Sequence, residues 1–172
     1  MYSMELLLSN YAVSNILDAS VETPDISATL IWVWHADKIP PHIGISSESK
    51  YFSLKANGKD EGRLVENVID LINKKSITTL CFQLENMSSL DAVVEVYNGF
   101  SVTKPNEITC LNPIKEILNL NHSQKLTELL GELYAQGQIS KVFGYHLPEN
   151  FKGIQIYSTE DIHERLRKLV ND

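Results

Sequence analysis

The sequence predicts an α+β fold in which a mostly antiparallel sheet packs against helices. Along the chain, strand patterns and helix patterns come in the order strands, helix, strand, helices, strands, helix, without the regular strand–helix alternation of a parallel α/β fold. Glycine and proline are sparse and scattered, so no linker divides the chain. A length of 172 residues suits one domain, and we expect residues 1–172 to form it.

The first predicted elements are strands. Leu30–Trp34 (LIWVW) is a continuous apolar run of β-branched and aromatic residues, typical of a buried strand, and Pro40-Pro41 prevents its continuation. Residues 42–46 form the next strand. Residues 51–55 alternate between apolar and polar and close a hairpin with it across a turn at 47–50, before Asn57-Gly58 ends the strand.

Helical spacing of apolar residues then predicts a helix from about residue 60 to residue 75. Residues 77–84 read as a strand, and Ser88 or Ser89 can cap a helix that runs to Tyr97. The remaining predicted elements are a short helix at about 110–119, a helix at 123–136 ended by Gly137, strands at 139–145 and 153–157, and a last helix to about 170 capped by Ser158 with Asp161.

Composition excludes several classes of function. The chain has 15 Lys and Arg against 22 Asp and Glu and a net charge of −7, so it lacks the dense basic surface of nucleic-acid-binding proteins, although a small basic pocket remains compatible. It contains no stretch of ~20 apolar residues, as a membrane span needs. Glu5 stands where a signal peptide would carry a cation, so we expect a cytoplasmic protein with no integral membrane segment. The two cysteines, Cys81 and Cys110, should then remain thiols.

Cys110 and His42 are the candidate catalytic residues. A cysteine nucleophile needs help to ionise, and a helix N-terminus or an imidazole supplies it. Cys110 stands just before an amphipathic helix, with either Cys110 itself or Asn112 as the N-cap; the pattern does not choose between them. His42 begins a strand, and Gly44 within that strand allows a close approach by another element. The neighbouring strand offers Ser53 to orient the ring.

The same residues also allow a structural interpretation. Cysteine is among the most buried residue types, so Cys81 in mid-strand is expected to be inert core, and a cysteine such as Cys110 is more often core than nucleophile. Trp32 and Trp34 share one face of a strand, where they fill the core or line a pocket floor. His35, Asp37 and His42 lack the spacing of a metal site, and the loop is better explained as a binding-site rim.

The segments Ala28–Val33, Pro41–Ser46 and Tyr51–Leu54, followed later by Cys110 at the start of a helix, resemble the permuted papain-like cysteine hydrolases of the NlpC type, which include YiiX-like and lecithin:retinol acyltransferase-like proteins. The resemblance covers roughly residues 26–120. It implies a papain-like fold with Cys110 as nucleophile, His42 as general base and Ser53 at the third polar position. Ser53 departs from the family pattern, which usually has His, Asn, Gln or an acid there.

Together these features predict a thiol hydrolase or acyltransferase that acts on an amide or ester, with a small-molecule or peptide substrate and no metal or other cofactor. Trp32, Trp34 and His35 would bind the substrate. The alternative is a non-catalytic binding or regulatory module that keeps the papain-like fold, as the weak third residue Ser53 suggests. The sequence does not indicate the substrate or the oligomeric state.

Overall fold

The computed structural model describes residues 10–171, so the N-terminal segment that bears on a signal peptide lies outside the described residues. Within them the chain forms strands and helices in mixed order. The strands are β1 (Asn10–Tyr11), β2 (Ile16–Asp18), β3 (Leu30–Trp34), β4 (His42–Ser47), β5 (Lys50–Lys55), β6 (Gly58–Leu64), β7 (Thr79–Leu84), β8 (Ile139–Tyr145) and β9 (Ile154–Gln155). The helices are α1 (Val65–Lys74), α2 (Leu90–Asn98), α3 (Asn112–Ile117), α4 (Leu126–Ala135) and α5 (Thr159–Asn171).

Seven of the strands form one sheet in the order β2-β8-β7-β3-β4-β5-β6. Every neighbouring pair is antiparallel except β2 with β8, which is parallel. β1 and β9 form a separate two-stranded antiparallel ribbon. The predicted α+β class with a mostly antiparallel sheet is therefore confirmed.

Strand alternation divides the core between the two faces of this sheet. In β3, Ile31 and Val33 point to the larger cluster, which also receives buried residues of α2, α3, α4 and α5. Leu30, Trp32 and Trp34 point to the smaller cluster, against which α1 packs. Both faces are covered, which explains why β3 is apolar at every position.

The predicted helix at residues 60–75 is wrong in its first part. Residues 58–64 form β6, an edge strand that pairs with β5, and α1 begins only at Val65. The pair Asn57-Gly58 therefore helps to turn the chain into a second hairpin, and Gly58 has a φ of 146°. The charges of this segment do not mark a helix N-terminus but are typical of a solvent-facing edge, where they prevent further strand pairing.

Local signals predicted several other elements correctly. The Ser89 hydroxyl accepts a hydrogen bond from the amide of Ala92 at 3.2 Å and caps α2. Ser158 and Asp161 exchange side-chain and backbone hydrogen bonds at the start of α5, as the predicted capping pair requires. Strand β9 is shorter than the predicted 153–157, and the two short strands β1 and β2 were not predicted. No helix within residues 10–171 is long and apolar enough to cross a membrane.

Candidate active site

A cavity of about 900 Å³ opens where three strands end. Its walls come from the end of β3, the start of β4 and the end of β5, together with the loops at 35–41 and 103–111 and one side of α5. His42 and Cys110 both line it. The fold therefore brings the two predicted catalytic residues to one cavity, although they are distant in the sequence.

Cys110 lies in a turn just before α3. Leu111 is the N-cap of this helix, so neither predicted register is right, and Cys110 precedes the N-cap by one residue. The Asn112 side chain explains the difference, because its Oδ1 accepts hydrogen bonds from the amide and the hydroxyl of Thr109, at 2.8 and 3.1 Å, and is directed back into the turn. The Leu111 amide in turn donates to Thr109 Oγ1 at 3.2 Å. These bonds fix the backbone that carries the thiol.

The Cys110 thiol is protonated at neutral pH. Burial raises its pKa from 9.0 to about 11, and hydrogen bonds from the backbone of Ile43 and of Cys110 itself only partly oppose this effect. The interaction with Ile43 places the sulfur beside β4, next to the residue that follows His42. Because α3 has only six residues and begins two positions later, the helix does little to ionise the thiol.

His42 begins β4 and pairs with Trp34 of β3. Burial lowers its pKa from 6.5 to about 4, and the charges of Lys55 and His35 lower it further, whereas the charge of Asp60 raises it. The imidazole is therefore neutral at pH 7. Both groups are thus neutral at pH 7, and within residues 10–171 no hydrogen bond joins the Cys110 thiol to the His42 ring.

The two side chains approach the cavity from different faces of the sheet. Alternation along β4 places His42 on the face of the smaller cluster, where Tyr51 lies, while Cys110 packs against the larger cluster with Ile43. The faces meet at the strand ends. Burial raises the pKa of Tyr51, and the charges of Asp60 and Cys110 add to this effect, whereas neither Cys110 nor His42 is among the groups that shift the pKa of the other.

Ser53 forms its hydrogen bond with Asp60, not with His42. It pairs with Asp60 across β5 and β6, and its hydroxyl donates to Asp60 Oδ2 at 2.9 Å. Lys55 Nζ donates to Asp60 Oδ1 at 3.1 Å. The structure gives the His42 ring no hydrogen bond from any residue of 10–171.

Asp60 was not predicted from the sequence; it does not line the cavity, but its charge acts on His42. The third polar position of the family pattern is occupied by Ser53 and not by an acid, yet the edge strand β6 places the carboxylate residue Asp60 directly opposite Ser53. Asn57-Gly58, which directly follows the pattern of β5, was the available signal, because this dipeptide is a strong indicator of a hairpin.

The predicted substrate-binding residues separate into two groups. Trp34 and His35 line the cavity. Trp32 is not part of its wall: it is fully buried, and its indole N–H donates to Ser46 Oγ at 2.8 Å in the core. Cys81 is also fully buried, with a raised pKa, and belongs to the smaller core cluster.

Among residues 10–171 no group of three His, Cys, Asp or Glu side chains could hold a metal ion. No protein-family model, curated protein or solved structure matches this chain. The chemistry of the cavity must therefore be argued from its own residues.

Proposed function

We propose that this protein is a thiol hydrolase or acyltransferase that acts on an amide or ester bond, with Cys110 as nucleophile and His42 as general base. The observation that supports this proposal is that both residues line one cavity, with the Cys110 sulfur beside the backbone of Ile43. A cavity of about 900 Å³ matches the size of sites that enclose a small molecule or a short peptide segment. The resemblance to permuted papain-like hydrolases points to the same pair.

The reaction starts from the neutral pair. The Cys110 sulfur attacks the substrate carbonyl carbon while its proton passes to the neutral His42 ring, so that a bond from sulfur to carbon forms as the thiol S–H bond breaks. The imidazolium then gives the proton to the departing amine or alcohol, which leaves a thioester. Water or an acceptor nucleophile, deprotonated by His42, attacks the thioester and releases the thiol.

Two further groups assist these steps. The backbone amides of this turn are the candidate donors for the oxyanion of the tetrahedral intermediate, once the Cys110 amide leaves its own sulfur or the Leu111 amide leaves Thr109 Oγ1. Asp60, held by Ser53 and Lys55, is the carboxylate whose charge favours the protonated form of His42. Ser53 thus takes part as a positioning residue that holds Asp60. We place the reaction in the cytoplasm, where the two free cysteines stay reduced.

The second candidate function is a binding module without catalysis. It is favoured by the raised pKa of Cys110, by the lowered pKa of His42 and by their approach from different faces of the sheet. The same cavity would then bind a ligand and leave it unchanged.

An acylating, thiol-directed probe at neutral pH separates these functions. If the protein is a hydrolase, the probe labels the native protein, Cys110→Ala abolishes labelling and His42→Ala lowers it at least tenfold. Cys81→Ala, which removes the buried core thiol, is the matched control and should leave labelling unchanged. Equal labelling of the native and His42→Ala proteins would exclude the proposed pair and favour the binding module.

A further inference from the structure

The wall of the cavity carries more positive than negative side chains, although the chain as a whole has a net charge of −7. The basic residues of the wall are Lys38, Lys55, Lys125, Arg165 and Lys168, and the acidic residues are Asp161 and Glu164. Positive charge thus predominates in the wall of this cavity, and a small basic pocket of this kind is compatible with the acidic composition of the chain.

Two of the cations and both acids of the wall already form ion pairs or hydrogen bonds with other residues of the protein. Lys55 pairs with Asp60 at 3.1 Å, and Lys168 pairs with Glu164 at 2.9 Å. Asp161 accepts hydrogen bonds from the amide and hydroxyl of Ser158, at 2.7 and 2.9 Å.

Three cations of the wall lack a carboxylate partner within residues 10–171. Lys38 and Arg165 form no side-chain hydrogen bond or ion pair there, and Lys125 Nζ reaches only the carbonyl oxygen of Tyr157, at 3.4 Å. Lys38 and Arg165 belong to distant segments, the loop after β3 and the helix α5. Both line the same cavity wall as His35, whose pKa is lowered first by burial and then by the charges of Lys38 and Arg165, while the charge of Asp37 opposes them. A side chain or ligand with negative charge would stabilise this arrangement.

We propose that this cavity recognises a substrate or ligand that bears a carboxylate or phosphate group, which Lys38, Lys125 and Arg165 bind. The proposal rests on the proposed function for the role of Cys110 as the reacting group; the anion site itself requires only the cavity and its charges. Arginine and lysine supply charge-assisted hydrogen bonds to either oxyanion; Lys38 and Arg165 are exposed at the rim of the cavity and Lys125 is half-buried.

Alkylation of Cys110 by two reagents of similar size tests the field at the thiol. Iodoacetate is negative and iodoacetamide is neutral, so the rate constant of iodoacetate divided by that of iodoacetamide reports the electrostatic potential at the thiol. We expect this ratio to be higher in the native protein than in the urea-unfolded chain. It should fall about twofold to threefold for each cation removed, hence roughly tenfold in a Lys38→Gln/Lys125→Gln/Arg165→Gln variant, and added NaCl should lower it.

The matched control removes three exposed cations outside the cavity, Arg63, Lys74 and Lys152, each replaced by Gln. It changes the net charge equally but should leave the ratio near the native value. An equal fall in both triple variants, or a native ratio equal to that of the unfolded chain, overturns the proposal. Failure of both reagents to modify native Cys110 overturns its role as nucleophile and not the anion site, which calorimetric titration of glutarate and of phosphate into the native protein and the Lys38→Gln/Lys125→Gln/Arg165→Gln variant then decides; equal binding by the two proteins overturns the anion site.

Protection of Cys110 from iodoacetamide identifies the anion. Glutarate, inorganic phosphate and neutral glutaramide are compared at equal ionic strength. Protection by glutarate assigns a carboxylate, protection by phosphate assigns a phosphate, and protection by neither, or equal protection by glutaramide, overturns the proposal. Neither measurement depends on His42, so loss of the anion site and loss of the hydrolase pair are distinguishable.

Discussion

The ring of Tyr51 lies directly over the α-carbon of Gly44. A Cβ atom on this glycine would stand 2.3 Å from the Tyr51 hydroxyl oxygen and 2.5 Å from two ring carbons. The two residues lie diagonally across β4 and β5, since Gly44 pairs with Ser53. The element that approaches Gly44 closely is therefore β5, the other strand of the same hairpin, through the ring of Tyr51. This contact fixes β4 two residues after His42.

Gly44→Ala should lower the free energy of unfolding by about 2–3 kcal/mol, because the fully buried Tyr51 ring cannot move away without disturbing the core. Denaturant unfolding measures this change. Gly131→Ala is the matched control: it lies within α4 with no atom within 4 Å of the added Cβ, and it should stabilise the protein by about 0.5–1 kcal/mol. Similar stabilities of the two variants would contradict the packing described for Tyr51.

The sequence predicted those elements whose signals are local. β3 is apolar throughout because both faces of the sheet are covered, and β8 was predicted with its observed bounds, Ile139–Tyr145. The Ser158–Asp161 pair caps α5 through atoms three residues apart. Such signals need no knowledge of the rest of the fold.

The missed features depend on pairing and packing partners, near or far along the chain, that hydrophobic periodicity does not reveal. β6 is polar, and it is a strand because β5 offers it a free edge. Asp60 reaches the site through that pairing, and Arg165 reaches the cavity through the packing of α5. Periodicity could therefore place Cys110 and His42 on plausible elements, but it could not show the charges that surround them.

The stability of the protein should fall between pH 6.5 and about 4 because of His42. The unfolded imidazole takes up a proton below pH 6.5, whereas the folded one stays neutral down to about pH 4. The unfolded state therefore binds more protons in this window, and the free energy of unfolding falls as the pH falls, by up to about 3 kcal/mol from this group.

His42→Gln isolates this contribution, because all other titrating groups are shared by the two proteins. The native protein should lose up to about 3 kcal/mol more than the variant when the pH is lowered through that window, as measured by denaturant unfolding at each pH. If the free energies of unfolding of the native protein and of His42→Gln fall in parallel with pH, His42 has an ordinary pKa in the folded protein.

The alkylation rate of Cys110 should rise with pH without levelling off at neutral pH. A pKa of about 11 leaves roughly a hundredfold fewer thiolates at pH 7 than an ordinary pKa of 9.0. The rate of modification by iodoacetamide should therefore increase about tenfold for each pH unit from 7 to 9, as peptide mass analysis of Cys110 measures. A plateau at or below pH 7 would instead reveal a preformed thiolate and a different starting state for the proposed reaction.

Asp60→Asn should move the pKa of His42 below its native value of about 4, because the charge of Asp60 raises it. The His42 ring signals in NMR spectra recorded against pH measure this shift. Glu61→Gln is the control, since this acid lies on the same strand but pairs with Lys59 at 2.7 Å. Ser53→Ala should produce a smaller shift than Asp60→Asn, because it removes one hydrogen bond from the carboxylate and leaves the charge. If Ser53→Ala alters the titration and Asp60→Asn does not, the hydroxyl itself orients the ring, as the sequence resemblance implies.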